Sequence, residues 1–422
     1  MKKKFYGWWI VFATFWTFGL STGLPYYNTP FFYDYYEKTF GWSRPDITLG
    51  FPLAVIFTLW AGPFLVHRFS PRLLILAGTF LTFLAFLGFG RMTGELWMYY
   101  VCWFFYTVGY IFSGPIPHQV IVTQWFRKLR GSAMGIVYVG VGLVGALGAP
   151  MVKWVTEQYG FQVALQVLGL SVVVGAWPIA IFFMRDKPGE MGQFPDGADH
   201  AAEEVKLAPR PFREIFTQRS FWLLLIGSAC SIGSIGSVNQ HMKLVFKDQG
   251  FTDQSHLNSA WSTASVIILI SSIAGRLIVG WLADRLPKKY VMVATYFVVA
   301  ITIPVLLLVT PSQEYYLYIF AVVFGFGMGA DYMLIPLMAA EQFGVNSLAR
   351  AMAIILPTDT IGQTWFPYAV AHLRRIFGDY NHALMIIFAM AFIGAVSIAL
   401  LPRHDREKDE PMPVQDARQA EA

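Results

Sequence analysis

The organisation of this chain is decided by one short stretch, Gly280-Trp281-Leu282-Ala283-Asp284-Arg285-Leu286-Pro287-Lys288-Lys289. It lies between two apolar segments and combines an acid with a run of bases. A weaker copy comes earlier in the chain, with His67-Arg68 standing 217 residues before Asp284-Arg285. Two further matches keep an offset of 218 residues: Ala133-Met134 with Ala351-Met352, and Tyr159-Gly160 with Phe377-Gly378. A repeat about as long as half the chain predicts two structurally related halves.

Most of the chain is too apolar for a water-soluble protein. Of its 422 residues, 56% are hydrophobic and 14% are charged, whereas about a quarter of a soluble protein is charged. Aromatic residues reach 17%, as expected where rings gather at membrane interfaces. The two cysteines, Cys102 and Cys230, lie in apolar runs and supply neither a disulfide framework nor a metal-binding spacing. The composition therefore predicts a multi-pass membrane protein.

The apolar segments are long enough to cross a bilayer as helices, which takes roughly 20 residues each. They lie near 7–27, 46–66, 72–90, 97–122, 132–154, 162–184, 220–246, 258–282, 290–310, 315–340, 349–371 and 382–401. We therefore predict an all-α membrane protein of 12 transmembrane helices. Its N-terminal six-helix bundle spans 1–184 and its central loop 185–219, followed by a C-terminal six-helix bundle in 220–402 and a polar tail in 403–422.

Basic residues set the expected orientation. With the N-terminus inside, 22 of the 31 Lys and Arg residues fall on the inner side, 8 on the outer side, and Arg276 within a helix. This bias predicts that both termini and the central loop are cytoplasmic. We expect a bacterial inner-membrane protein, and the net charge of +5 then reflects topology rather than nucleic-acid binding. Lys2, Lys3 and Lys4 precede the first segment, as in a signal peptide, but that segment is too long for one and we interpret it as an uncleaved helix.

The stretch at 280–289 resembles the signature loop of the major facilitator superfamily, and the resemblance covers nearly the whole chain. In the weaker copy, Gly62-Pro63-Phe64-Leu65-Val66-His67-Arg68-Phe69-Ser70-Pro71-Arg72, a histidine replaces the usual aspartate. The resemblance implies a gate, in which the aspartate pairs with an arginine across the inner face as the halves rock. We assign this gate to Asp284, Arg285, Arg68 and Arg72. The alternative is that these residues only anchor the inner side, which leaves the aspartate and the glycine unexplained.

A finer resemblance is to the branch of monocarboxylate porters and oxalate–formate exchangers. Four stretches carry it: Gly41-Trp42-Ser43-Arg44, Gln124-Trp125-Phe126-Arg127-Lys128-Leu129-Arg130-Gly131, Gly140-Val141-Gly142-Leu143 and Ala274-Gly275-Arg276. The branch implies secondary transport of small carboxylates by alternating access.

Four polar residues are predicted near the membrane midplane: His118, Arg276, Asp331 and Asp359. Counting residues to the nearest inner loop at about 1.5 Å each places them roughly 12–15 Å deep, and half of a hydrocarbon core is about 15 Å. Ionisable groups at that depth are costly and are typical of functional sites. Each also has a structural interpretation: Arg276 can pair with one aspartate to stabilise helix packing, and His118 can face water in a broken helix.

Aromatic and polar residues complete the predicted site. We expect Tyr26, Tyr138 and Tyr332 to line the cavity with Arg276 and His118, although membrane helices also use tyrosines for packing. Asn239, Gln240 and His241 lie toward the outer end of the seventh segment, which suits a gate better than the central site.

The branch resemblance implies that Arg276 carries the substrate carboxylate, and the planar fork of a guanidinium suits that ligand. Two departures matter. The oxalate exchanger has a lysine where this chain has Asp359, which argues against a dianion. Animal monocarboxylate porters have an aspartate where this chain has Ser272, which moves proton coupling to Asp331 or Asp359. We expect an aspartate to pair with Arg276 in the empty carrier and to gain affinity for a proton once a substrate carboxylate displaces it.

Other motifs point to no competing chemistry. Gly140-Val141-Gly142-Leu143-Val144-Gly145 fits the dinucleotide fingerprint, yet it lies within an apolar helix rather than after a strand, so we interpret its glycines as helix-packing positions. No phosphate-binding loop, zinc spacing or catalytic triad order occurs. We predict no enzyme and no cofactor.

The sequence thus predicts a secondary transporter that acts as a monomer in the lipid bilayer, with a small organic acid anion and a proton as its partners. Proton-coupled monocarboxylate symport is the leading interpretation. The alternatives are carboxylate exchange, a proton-driven drug exporter and a membrane sensor built on a transporter fold.

Overall fold

Helices account for nearly all of the chain that the computed structural model describes, which is residues 5–58, 68–198 and 210–402. No strand occurs within these ranges, so the predicted all-α class is confirmed there. Lys2, Lys3, Lys4, His67 and the tail at 403–422 lie outside the described residues.

Within 5–58 and 68–198, the first half of the chain forms nine α-helices. They are α1 Gly7–Phe18, α2 Leu24–Asn28, α3 Tyr33–Phe40, α4 Arg44–Thr58, α5 Pro71–Phe89, α6 Leu96–Ser113, α7 Pro115–Trp125, α8 Arg130–Tyr159 and α9 Phe161–Phe182. A π-helical turn, Gly19–Gly23, joins α1 to α2, and a 3-10 turn, Thr29–Phe32, joins α2 to α3.

The remaining α-helices follow two 3-10 turns in the central loop, Pro188–Met191 and Pro195–Gly197. They are α10 Phe212–Thr217, α11 Arg219–Asp248, α12 Gln254–Arg285, α13 Lys288–Thr302, α14 Tyr315–Phe343, α15 Leu348–Phe377 and α16 Tyr380–Ala399. Another 3-10 turn, Ile303–Leu308, extends α13. Among the described residues, eight helices are long and apolar enough to cross a membrane.

Several predicted segments differ from the observed helices. The first is divided by the π-helical turn, and the second is described only as far as Thr58. The fourth is divided into α6 and α7 at Gly114, whose backbone is not helical. Pro117 has no N–H to donate to the carbonyl oxygen of Ser113, and that oxygen instead accepts a 2.6 Å hydrogen bond from Ser21 Oγ. A hydroxyl from another helix thus satisfies the break in the helix.

Glycines bring the helices into backbone contact. A Cβ added at Gly145 on α8 would lie 2.8 Å from the carbonyl oxygen of Gly23, and one at Gly325 on α14 would lie 2.7 Å from that of Ile268 on α12. The glycine-rich run at 140–145 therefore serves close helix packing, as the sequence predicted, and Gly325 serves it between α14 and α12.

α8 of the first half lies against α12 of the second half. The two helices pack closely at one end and are separated toward the other. A Cβ at Gly280 on α12 would lie 2.6 Å from the carbonyl oxygen of Gly131 on α8. We call this end, which carries 68–72, 126–132, 185–198 and 284–289, the central-loop end. Beyond Gly142 the same face of α8 is exposed at Ala146 and Ala149. The structure is therefore closed at the central-loop end and open toward the other.

Candidate substrate and coupling site

Arg276 lies on α12 where the contact with α8 gives way to the open part. Its Nη1 donates a long hydrogen bond of 3.4 Å to Ser272 Oγ, one turn earlier, and a Cβ at Gly142 on α8 would lie 3.4 Å from the same nitrogen. The buried Nε has no hydrogen-bond partner in the part of the chain that the structure describes. Tyr27 and Tyr138 lie near the guanidinium. Among the described residues, no carboxylate pairs with this arginine.

The two aspartates predicted near the midplane, Asp331 and Asp359, are fully buried in the second half. Asp359 on α15 accepts a 2.6 Å hydrogen bond from Ser228 Oγ, and Asp331 on α14 accepts one from Ser231 Oγ. Each carboxylate keeps one buried oxygen without a hydrogen-bond partner among the described residues. Tyr296 lies near Asp331, and the two carboxylates lie near each other.

The contact expected between Arg276 and an aspartate is absent from the described residues, so that part of the sequence-based expectation was wrong. The physical reason is that the aspartates and Arg276 face different helices. α11 presents serines to α14 and α15, whereas Arg276 lies where α12 adjoins α8. Sequence reasoning missed Ser228 and Ser231. The available signal was a serine at every third position from Ser228 to Ser237, which puts hydroxyls near one face of a helix.

The three predicted tyrosines gather around Arg276 and Asp359. Tyr138 lies near both, and Tyr332 lies near Asp359 and Tyr26. Tyr332 donates a 2.9 Å hydrogen bond to Gln363 Oε1. Gln119 Nε2 donates one of 2.5 Å to the hydroxyl of Tyr138. The structure thus brings Tyr26, Tyr138 and Tyr332 to one site; the two glutamines were not predicted.

A small, mainly apolar pocket lies between the halves beside Tyr332. Its walls come from α4, α6, α7, α14 and α15, and its lining residues are Val55, Thr58, Thr107, Tyr110, Ile111, Pro115, Ile116, Tyr332, Leu356, Pro357 and Thr360. None of them is charged. The break in the helix at Pro115 and the proline at 357 in α15 both border this pocket, as is typical of transporter sites built on discontinuous helices.

His118 lies apart from this pocket. Its side chain is fully buried, its Nδ1 is 2.7 Å from the carbonyl oxygen of Gly114, and its Nε2 is 2.9 Å from Thr17 Oγ1. The ring of Phe18 stacks on it at 4.9 Å. The expectation that His118 faces water was wrong, because neighbouring groups of the first half satisfy both ring nitrogens. Its role as a substrate ligand stays a prediction.

The gate residues make contacts other than the expected ion pair. Asp284 Oδ1 accepts a 2.5 Å hydrogen bond from the backbone N–H of Gly131, and Oδ2 accepts one of 2.8 Å from that of Ser132. These amides belong to the first turn of α8, where unpaired N–H groups favour an anion. The aspartate therefore crosses between the halves, as predicted, but binds a helix N-terminus.

The predicted gate arginines lie on the same end of the molecule. Arg285 stacks on Trp281, with its guanidinium carbon 3.7 Å from the ring centroid. Arg72 donates a 2.5 Å hydrogen bond to the carbonyl oxygen of Ile181 in its own half, and Arg68 is exposed. Their part in gating stays a prediction.

The three α11 residues that were predicted near an outer gate differ in their surroundings. His241 is buried and bridges to α15 and α16, 2.8 Å from the carbonyl oxygen of Pro367 and 3.0 Å from the hydroxyl of Tyr380. Asn239 and Gln240 are exposed, consistent with the open side of the molecule.

Comparison with known proteins matches this architecture to one family. The sequence profile of the Major Facilitator Superfamily matches residues 11–312 and 255–420. The chain is 22% identical over 439 residues to human Monocarboxylate transporter 11, covering 94% of this chain and 83% of that protein. It is 25% identical over 317 residues to the MFS-type transporter YcxA of Bacillus subtilis, covering 71% of each.

A solved structure shows the same fold. The crystal structure of the major facilitator transporter FucP in the outward conformation superposes with a TM-score of 0.68 and 12% identity, covering 93% of this chain and 98% of FucP. These matches confirm the predicted fold class and place the chain among transporters rather than enzymes. The chain is a multi-pass membrane protein that belongs to the major facilitator superfamily, whose members move small solutes across membranes.

Proposed function

We propose that this protein is a proton-coupled symporter of small monocarboxylates. The observation that carries the proposal is the position of Arg276: a cation without a carboxylate partner among the described residues, beside Tyr138, where the halves begin to separate. A guanidinium in a low-dielectric site attracts an anion strongly and binds a carboxylate through two parallel N–H groups. The similarity to Monocarboxylate transporter 11 supports the same class of substrate.

The uncharged lining of the pocket beside Tyr332 favours a substrate with a single carboxylate. A second carboxylate placed against its apolar lining would be buried without a cation, which is costly. A dicarboxylate is therefore a poorer fit than a monocarboxylate with an uncharged remainder.

Coupling to protons is assigned to Asp331 and Asp359. A buried carboxylate with a single serine donor is unfavourable while charged, and protonation removes that cost. Because neither aspartate is paired with Arg276, a substrate need not displace them directly. We propose that the protonation state of Asp331 and Asp359 decides whether the second half can rearrange around the bound anion. Ser228 and Ser231 hold these acids in place by hydrogen bonds.

The transport cycle follows from the closed end. A substrate enters from the open side and reaches Arg276. For the open side to close and the central-loop end to open, Asp284 must leave the amides of Gly131 and Ser132. The distribution of basic residues supports placing the central-loop end and both termini in the cytoplasm of a bacterial inner membrane. The proposed working unit is one chain, with the six-helix bundles at 1–184 and 220–402.

Reconstitution tests the proposal. Purified protein in liposomes, given labelled 2-hydroxy, 2-oxo and short-chain fatty acids, should accumulate at least one of them when the inside is alkaline. Accumulation should collapse when a protonophore removes the gradient. Uptake that needs only internal counter-substrate would favour the exchanger, and uptake of cationic drugs the exporter. Binding without flux would favour a sensor.

A further inference from the structure

The beginning of the central loop is packed against the first half. Trp125 Nε1 donates a 2.9 Å hydrogen bond to the carbonyl oxygen of Arg185, and the backbone N–H of Arg72 donates one of 2.9 Å to Asp186 Oδ1. The backbone N–H of Tyr6 donates one of 2.9 Å to Gln193 Oε1. We call residues 185–198 the strap, because they bind three separate segments at the central-loop end.

Asp196 makes the strap's most extensive contact. Its Oδ2 accepts hydrogen bonds from the backbone N–H groups of Arg127 at 3.0 Å and Lys128 at 2.8 Å, and its Oδ1 accepts one of 3.4 Å from Leu129. Asp196 has a φ of +56°, in the left-handed region where Asp and Asn are the commonest non-glycine residues. One carboxylate thus binds three successive amides just before α8 begins.

Two carboxylates therefore hold one short segment. Asp196, from the strap, binds the amides of 127–129, and Asp284, from the other half, binds those of Gly131 and Ser132. Leu129, which precedes the first residue of α8, supplies no side-chain cap. The orientation of these amides thus depends on carboxylates from elsewhere in the chain. Only the Asp284 contact must break when the halves move apart.

We propose that Asp196 is a positioning residue of the gate: it fixes the backbone of 127–129 so that the first amides of α8 face Asp284. Hydrogen bonding by Asp284 is directional, so a change in this backbone weakens closure without touching substrate. The central loop then takes part in alternating access rather than only linking the halves. This inference is independent of which solute is carried.

The test measures opening of the central-loop end directly. Spin labels replace Phe69 and Leu286, which are exposed on opposite halves, after Cys102 and Cys230 are changed to serine. In unmodified protein the labels should give one short distance. Asp196→Ala should add a longer distance population, and Asp196→Asn, which keeps one acceptor oxygen, should add a smaller one. Asp284→Ala should open the same end.

Asp186→Ala is the matched control, since Asp186 belongs to the strap but binds Arg72 rather than 127–129. If Asp186→Ala lengthened the spin-label distance equally, the proposal would be overturned, because the effect would then come from packing of the whole strap rather than from Asp196. The proposal also fails if Asp196→Ala leaves the distance unchanged or shortens it, or if Asp284→Ala leaves it unchanged. If Asp196→Ala does not fold, Asp196→Asn carries the test by the same criteria.

Discussion

Asp359 accepts a 2.6 Å hydrogen bond from Ser228, a residue 131 positions earlier in the chain. Ser231, one turn further along α11, donates to Asp331 in the same way. The acids assigned to proton coupling are therefore held within the second half, whereas Arg276, assigned to the substrate, lies toward the contact with the first. In the proposed mechanism, anion binding and protonation therefore use separate groups.

Neutralising the acids separates coupling from binding. Asp359→Asn and Asp331→Asn should retain exchange of substrate across the membrane, because Arg276 is unchanged. The variant that removes the coupling group should lose accumulation driven by a pH gradient. Counterflow and gradient-driven uptake, measured on the same proteoliposomes, check this. Full gradient-driven uptake in both variants would replace symport with exchange.

Ser228 and Ser231, which donate hydrogen bonds to the aspartates, should affect the pH dependence of uptake. Ser228→Ala and Ser231→Ala each remove a hydrogen bond to a buried carboxylate, worth about 1.5–3 kcal/mol when the acceptor is charged. Loss of that bond favours the protonated acid, so the pH profile of uptake should shift toward higher pH. Ser237→Ala is the matched control, since Ser237 donates only to the carbonyl oxygen of Gly233 on its own helix. An equal shift in the control would contradict the assignment.

Packing at the closed end depends on glycine. Gly280→Ala would put a methyl group 2.6 Å from the carbonyl oxygen of Gly131, and such overpacking costs about 1–3 kcal/mol. The variant should populate the state open at the central-loop end, measured by the spin-label distance between positions 69 and 286. Gly189→Ala, which meets nothing within 4 Å, should leave that distance unchanged. A closed distance in Gly280→Ala would refute the role of this contact.

His118 should matter for stability. His118→Ala removes the hydrogen bonds that join the ring to the carbonyl oxygen of Gly114 and to Thr17, at a cost of about 1–3 kcal/mol, so the melting temperature should fall while KM stays unchanged. Thr17→Val should have a similar, smaller effect, because Thr17 contacts the ring at 2.9 Å. A raised KM with normal melting would instead support His118 as a substrate ligand.

The fold was largely predictable from the sequence, and the contacts of the site were not. Apolar length located the long helices, and the broken helix considered for His118 is present at Gly114 in the fourth segment. Counting residues placed Asp331 and Asp359 at depth, and both are fully buried. Their serine partners lie 100 and 131 positions away, and no local pattern specifies such pairings. The π-helical turn at Gly19–Gly23 also lacks a local signal.

In the proposed mechanism, Arg276 anchors a monocarboxylate that is carried with protons. The most direct test of this role is the initial rate of uptake of a labelled monocarboxylate, at low concentration, into inside-alkaline proteoliposomes carrying unmodified protein or Arg276→Lys. We expect the variant to insert and melt normally but to transport about 10- to 100-fold more slowly, as for loss of one charge-assisted hydrogen bond of about 1.5–3 kcal/mol. Arg285→Lys, at the exposed end of the same helix, should still bind the monocarboxylate. Uptake by Arg276→Lys equal to that of the unmodified protein would contradict the claim.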